Sequence, residues 1–169
     1  MSSFPVAAIR ALRPKEWVKN GVMLVPLLFA KSIFVAGLPL KALLAIVSFS
    51  LLASGVYVLN DWFDREKDRL HPEKKKRPIA SGEINGAGAI GLIVACWSAA
   101  GAIGWVLSEK YLAVMGAYLV MQFAYTLALK HMVLLDIMTI ALGFILRVVA
   151  GAEAIDVTVS NWLFLCTML

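Results

Sequence analysis

Three aspartates, Asp61, Asp64 and Asp68, stand in the stretch VLNDWFDREKDRLHPEKKKRPIASG, interleaved with and followed by seven basic residues from Arg65 to Arg77. On a helix the spacing i, i+3, i+7 puts all three carboxylates on one face within two turns. Carboxylates so placed repel one another, and a divalent cation relieves that repulsion. Mg²⁺ suits such a face, because it takes one or two carboxylates and completes its shell with water and substrate phosphate oxygens. A solvated helix end would carry the same charges, laced by short-range ion pairs such as Asp61–Arg65 and Asp64–Lys67. Asn60 inclines the balance toward a site, since it places a polar amide inside the preceding apolar run.

The basic half of the stretch has two explanations of its own. A polybasic segment beside a membrane attracts anionic lipid at about 1 kcal/mol per Lys or Arg and needs no substrate. The pairs His71-Pro72 and Arg77-Pro78, however, restrict the backbone before each proline, and Ser81-Gly82 closes a turn. An anchor needs only charge, whereas a shaped loop aims particular side chains. Arg77 and Lys74 are therefore read as phosphate-binding groups, Arg77 through a planar guanidinium that can grip phosphate with two N–H bonds.

A second group lies further on, in YTLALKHMVLLDIMTIALGFILRVVAGA. Asp136 and Arg147 fall inside an apolar run, where ionisable groups face the bundle interior and mark function by default. Eleven residues separate them, so they share a helix face but sit roughly 16 Å apart along it. Structural pairing of Arg147 with carboxylates on another helix would account for it equally. Tyr125 and Lys130 flank the turn before this run, where Lys130 and His131 also suit snorkelling anchors. Trp17, Trp62, Trp105, Tyr111 and Trp162 fall near the ends of apolar runs and read as an aromatic belt.

These residues must be positioned by the rest of a very apolar chain. Of its 169 residues 61% are hydrophobic and 16% charged, and its mean hydropathy is +0.82. A soluble domain is usually about 45–50% apolar, so a polytopic membrane protein is expected. A helix needs about 20 residues to cross a hydrocarbon core of roughly 30 Å. Spans are expected at about 17–31, 41–60, 87–108, 111–129 and 133–152, with a sixth beginning near Asn161. Residues 1–16 read as an interfacial lead-in and not as a cleavable leader, because the basic residues follow the short apolar patch. Basic residues cluster before the first span, at 61–86 and at 130, which places the N-terminus and both loops in the cytosol. Cys96 and Cys166 both sit in apolar runs, so no disulfide framework is expected.

NDWFDREKD, at Asn60 to Asp68, resembles the NDxxDxxxD signature of the UbiA superfamily of intramembrane prenyltransferases, and RPIASG resembles the basic turn that follows it. LRPKEWVKN (Leu12–Asn20), DRLHPEKKKRPIASG and LKHMVLLDIMTIALGFILRVVAGA are most similar to the branch that transfers phosphoribosyl groups to decaprenyl phosphate. The resemblance implies an all-α bundle of about nine spans, of which a single domain at 1–169 supplies five or six, ending before a second acidic motif. It implies that Asn60, Asp61, Asp64 and Asp68 hold Mg²⁺ against a diphosphate, with Tyr125, Lys130 and Asp136 as a further family group. Four residues lie between Tyr125 and Lys130, which departs from the ubiquinone-type enzymes.

The implied activity is Mg²⁺-dependent transfer from phosphoribosyl diphosphate to a polyprenyl phosphate, in the synthesis of cell-envelope polysaccharide precursors. Lys19 and Arg147 are then candidates to hold a substrate phosphate. The partners implied are the lipid, the sugar diphosphate and the membrane, with no nucleic acid; a homo-oligomer is left open. Two other readings stay open: prenyl transfer to an aromatic acceptor, and a non-enzymatic bundle whose polybasic loop binds lipid.

Overall fold

The computed structural model describes residues 3–127, 133–158 and 165, the side chains of residues 127, 133, 134 and 136 excepted. Among the described residues every regular element is helical. Helix α1 (Phe4–Leu12) starts on Pro5 in its first turn and stops where Arg13 precedes Pro14. A 3₁₀ stretch (Pro14–Leu24) and short α2 (Val25–Phe29) follow. Then come α3 (Leu38–Phe63), α4 (Arg65–Leu70), one 3₁₀ turn (Lys74–Lys76), α5 (Gly86–Leu107), α6 (Glu109–Leu127) and α7 (Val133–Ala154).

Three of these helices are long and apolar enough to cross a membrane: Leu38–Phe63, Gly86–Leu107 and Ile137–Ala154. They fall where the second, third and fifth spans were expected. Helix α6 covers the fourth, although it opens on Glu109-Lys110 and is less apolar. The first expected span is not a continuous α-helix. Pro26 lacks an N–H and Gly21 lowers helix propensity, and the chain runs as 3₁₀ helix over most of that stretch. At about 2.0 Å per residue in 3₁₀ and 1.5 Å in α geometry, the two pieces still extend about 30 Å. The expected sixth span lies outside the described residues, as do Lys130, His131 and Trp162.

The chain forms two compact units, 1–18 with 50–100, and 19–49 with 101–169. In the first, Ala7 and Ala11 of α1, Val58 of α3, Ala89 and Ile93 of α5 and the loop residues Ile79 and Ile84 form one buried cluster. Burying each isoleucine favours the fold by about 1.5–3 kcal/mol, so the loop after α4 is anchored by apolar residues as well as by charge. Gly55 lets the Trp97 indole lie against α3, where its Nε1 donates to the Leu52 carbonyl at 3.2 Å.

In the second unit Leu27, Ala42 and Ile155 make a smaller cluster. Tyr111, expected in an aromatic belt, is instead fully buried, because its hydroxyl finds the Ala45 carbonyl at 2.9 Å. Gly151 admits the Met23 backbone, whose carbonyl oxygen would lie 2.3 Å from an added Cβ. A backbone atom cannot swing aside, so Gly151→Ala is expected to destabilise the protein by about 1–3 kcal/mol. Gly116→Ala, with no atom within 4 Å of its Cβ, is expected to be neutral or slightly stabilising. Unfolding midpoints of the two variants in detergent check the contrast.

Candidate active site

The aspartate signature begins on the last turn of α3. Although α3 ends at Phe63, the Asp64 N–H donates to the Asn60 carbonyl and the Asp68 N–H to the Asp64 carbonyl, both at 2.9 Å. The i, i+4 ladder therefore carries the aspartate spacing into α4. Asp61 and Asp68 are buried, and Asn60 and Asp64 are half-buried.

Asp61 and Asp68 converge on one guanidinium. Arg77 Nη1 donates to Asp61 Oδ1 at 3.0 Å and to Asp68 Oδ2 at 2.7 Å. Its own backbone is extended, the conformation favoured for a residue before proline. The loop beyond it folds back on itself: the Ser81 N–H donates to the Arg77 carbonyl at 2.9 Å and the Ile84 N–H to the Pro78 carbonyl at 3.0 Å. Gly82 takes the positive φ of +81° that closes the turn.

A second cation enters from the N-terminal segment. Arg13 Nη2 donates to the same Asp61 Oδ1 at 2.6 Å, and its guanidinium lies 5.2 Å from the centre of the Tyr57 ring. Arg13 was not singled out as a site residue in the sequence. Its only signal was membership of LRPKEWVKN, since a pair 48 residues apart leaves no periodicity to read.

The helix-end ladder expected of a plain solvated terminus does form, but on Glu66. Arg69 Nη1 meets Glu66 at 3.2 Å and Arg65 Nε meets it at 3.3 Å, and Arg65 also lies 4.3 Å from the Trp62 ring. The Asp61–Arg65 pair is replaced by the two longer-range arginines. Lys74 is exposed on the loop.

The donor set fits magnesium. Among the described residues no three His, Cys, Asp or Glu gather into a cage for a metal. Two hard carboxylates already meeting at one cationic atom, with Asp64 between them in sequence, are what Mg²⁺ uses when phosphate oxygens complete its shell.

The second unit carries the other residues read from the sequence. Lys19 is exposed and Tyr125 half-buried. Asp136 lies on α7, with its side chain outside the described residues. Arg147 is buried. Its Nε donates to Asn20 Oδ1 at 2.8 Å, its Nη1 to the Gly143 carbonyl at 2.7 Å and its Nη2 to the Tyr118 hydroxyl at 3.3 Å. The rings of Tyr118, Phe49 and Phe144 surround it at 5.3, 5.6 and 5.6 Å. Neutral acceptors and aromatic faces stabilise this cation, and among the described residues no carboxylate pairs with it.

Residues 22–169 match the UbiA prenyltransferase family. The chain is 38% identical over 161 residues to a decaprenyl-phosphate phosphoribosyltransferase from Mycolicibacterium smegmatis, covering 93% of this chain and 51% of that protein. A decaprenyl-phosphate phosphoribosyltransferase of Mycobacterium tuberculosis is 38% identical over 164 residues, covering 93% and 53%. The chain thus spans about half the length of these curated relatives. The structure of a UbiA homolog from Archaeoglobus fulgidus bound to DMAPP and Mg²⁺ superposes with a TM-score of 0.82 at 22% identity, covering 95% of this chain and 58% of that one. At that identity the likeness establishes the fold, an all-helical membrane-protein architecture.

The Arg147 cage depends on a fork of N–H donors as well as on charge. Both Arg147→Lys and Arg147→Met are expected to lower stability by about 1–3 kcal/mol, because the buried guanidinium's bonds to the Asn20 amide oxygen and the Tyr118 hydroxyl are lost together. Denaturant unfolding in detergent checks this, and a wild-type midpoint for the lysine variant would contradict it.

Proposed function

The chain belongs to the UbiA prenyltransferase family, and from that premise we propose that the protein containing it transfers a phosphoribosyl group from phosphoribosyl diphosphate to a polyprenyl phosphate. The observation that carries this reading is the meeting of Asp61, Asp68 and two arginines at a helix end that is otherwise apolar. The names of the two mycobacterial relatives support the choice of donor and acceptor.

We assign the aspartate face of Asp61, Asp64 and Asp68, with Asn60 beside it, to the metal-bound diphosphate. Bound magnesium would supply charge neutralisation for the diphosphate leaving group. Arg77 presents its guanidinium from a loop whose apolar residues are buried, so its N–H groups are oriented before substrate arrives. That preorganisation favours the developing charge on the leaving diphosphate over the ground state. The exposed Lys74, and Lys130 beyond the described residues, add cationic groups suited to a soluble donor carrying several phosphates.

In the transfer, a phosphate oxygen of the lipid bonds to ribose C1 while the C1–O bond to diphosphate breaks, and diphosphate departs with the electron pair. Lys19 is our candidate for the lipid phosphate. It directly precedes Asn20, whose side chain Arg147 holds, so Arg147 acts through that segment. Tyr125 and Asp136 are retained as members of the family group that the resemblance implies. The apolar helices set the lipid acceptor in the membrane, with the aspartate face and N-terminus on the cytosolic side. A role in cell-envelope polysaccharide precursors follows from the same reading.

Full-length protein is expected to turn over labelled phosphoribosyl diphosphate with polyprenyl phosphate only when Mg²⁺ is supplied, and Asp64→Asn is expected to abolish turnover. Full activity in Asp64→Asn would remove the metal assignment. Turnover of a polyprenyl diphosphate with an aromatic acceptor, and none of the sugar donor, would replace this reading with prenyl transfer. Wild-type behaviour of Arg77→Lys and Asp64→Glu would favour a non-enzymatic lipid-binding bundle.

A further inference from the structure

Between α2 and α3 the chain turns large apolar side chains outward. Phe34 is 96% exposed, and Phe29, Ile33, Val35 and Leu40 are exposed beside it. All five belong to the second unit. Clustered exposed apolar groups of this kind mark contact with a partner or with lipid.

The segment has a built shape. Lys31 closes α2 in the left-handed region at φ 54°. Its N–H donates to the Leu28 carbonyl at 3.0 Å and the Ser32 N–H to the Leu27 carbonyl at 3.1 Å, the paired bonds of a Schellman ending. Two turns follow, from the Val35 N–H to the Ser32 carbonyl at 3.0 Å and from the Leu38 N–H to the Val35 carbonyl at 3.2 Å, and Gly37 takes φ +84°. A backbone that enters an apolar medium finds no water to satisfy it, and these four N–H groups are met within the segment.

Position and charge identify what covers the patch. About 20 residues at 1.5 Å each cover the roughly 30 Å of hydrocarbon, and counted back from Asn60 along α3 they end at Lys41. With the aspartate signature at one boundary of the bilayer, Lys41 stands at the other. Lys41 and Lys110 line one cavity, where Lys110 Nζ lies 3.8 Å from Asp156 Oδ1 and 4.0 Å from Glu153 Oε2. Lys31 and Lys41 are exposed and have no carboxylate within ion-pair distance among the described residues. They bracket the apolar patch at the depth where the available counter-ion is a lipid phosphate, which a lysine reaches by laying its stem along apolar surface.

We propose that residues 31–41 form a lipid-binding wedge in the leaflet remote from the aspartates. Ile33, Phe34, Val35 and Leu40 enter the boundary between headgroups and acyl chains, and Lys31 and Lys41 each pair with a phospholipid phosphate. Apolar surface seats the segment about 5–10 Å deep, as it does for interfacial helices, while the lysines fix its depth. The wedge depends on no step of the reaction proposed above.

Power-saturation electron paramagnetic resonance tests it on the full-length protein in vesicles of phosphatidylglycerol and phosphatidylcholine. A nitroxide on Phe34→Cys, in a protein without its other cysteines, reports collisions with oxygen, which concentrates in lipid, and with a nickel chelate, which stays in water. High oxygen and low nickel accessibility are expected at Phe34, and the reverse for a label on Glu109→Cys, whose side chain is exposed beside Lys110. Lys31→Gln combined with Lys41→Gln is expected to raise the ratio of nickel-accessible to inserted label at Phe34 about fivefold for each lysine. All four side chains are exposed, so the variants are expected to keep the wild-type unfolding midpoint.

High nickel accessibility at Phe34 with both lysines in place would put the segment in water and overturn the wedge. Exclusion of both reagents would overturn it too, since the cover would then be protein, either more of the chain or a second copy. An unchanged nickel signal in the double glutamine variant would overturn the pairing of the lysines with phosphate.

Discussion

Burial of the Asp61 carboxylate is the constraint on which the first unit depends. An ionised carboxylate withdrawn from water costs several kcal/mol unless cations and hydrogen bonds meet it. Asp61 sits at the end of an apolar helix with its side chain almost wholly covered, and two arginines answer that cost. One comes from 48 residues upstream and the other from 16 residues downstream, so one atom ties the N-terminal segment, α3 and the loop after α4 together. The apolar cluster of Ala7, Ala11, Val58, Ile79 and Ile84 joins the same three stretches from beneath. Charge and packing therefore specify one arrangement, and removing either arginine would leave the buried carboxylate with one cationic partner in place of two.

The second unit treats a buried charge in a different way. Arg147 meets an amide oxygen, a backbone carbonyl, a tyrosine hydroxyl and three aromatic faces. Hydrogen bonds and ring quadrupoles spread its charge without cancelling it, whereas Asp61 and Asp68 offset the charge of their arginines. An arginine in a neutral cage suits a fixed structural part. An arginine shared between carboxylates, with donors still open, suits one that meets an anion.

How much of this could be read in the sequence varies with the range of the interaction. The long helices were legible because a run of about 20 apolar residues is a local property, and α3, α5 and α7 fall close to their expected bounds. The shaped loop was legible through Pro72, Pro78 and Gly82, whose backbone restrictions are also local. The first span was misread as α-helix, since hydropathy does not report the hydrogen-bond loss at Pro26. Tyr111 looked like a belt residue because its position near a helix end is local, while its Ala45 partner is 66 residues away. The spacing of Asp61, Asp64 and Asp68 gave their common face, but not the partners of Asp61. Arg13 was passed over for that reason, and Asn20 with it, since the Arg147–Asn20 bond joins residues 127 apart.

The account's central claim is that this aspartate and arginine constellation holds a metal-bound diphosphate. Electron–nuclear double resonance of Mn²⁺ substituted for Mg²⁺ in the full-length protein tests it most directly, with inorganic diphosphate added. The account predicts a ³¹P hyperfine coupling from phosphate bound to the protein-held metal, lost in Asp64→Asn and Asp68→Asn. Protein-bound Mn²⁺ without ³¹P coupling, or coupling indifferent to both substitutions, would contradict it.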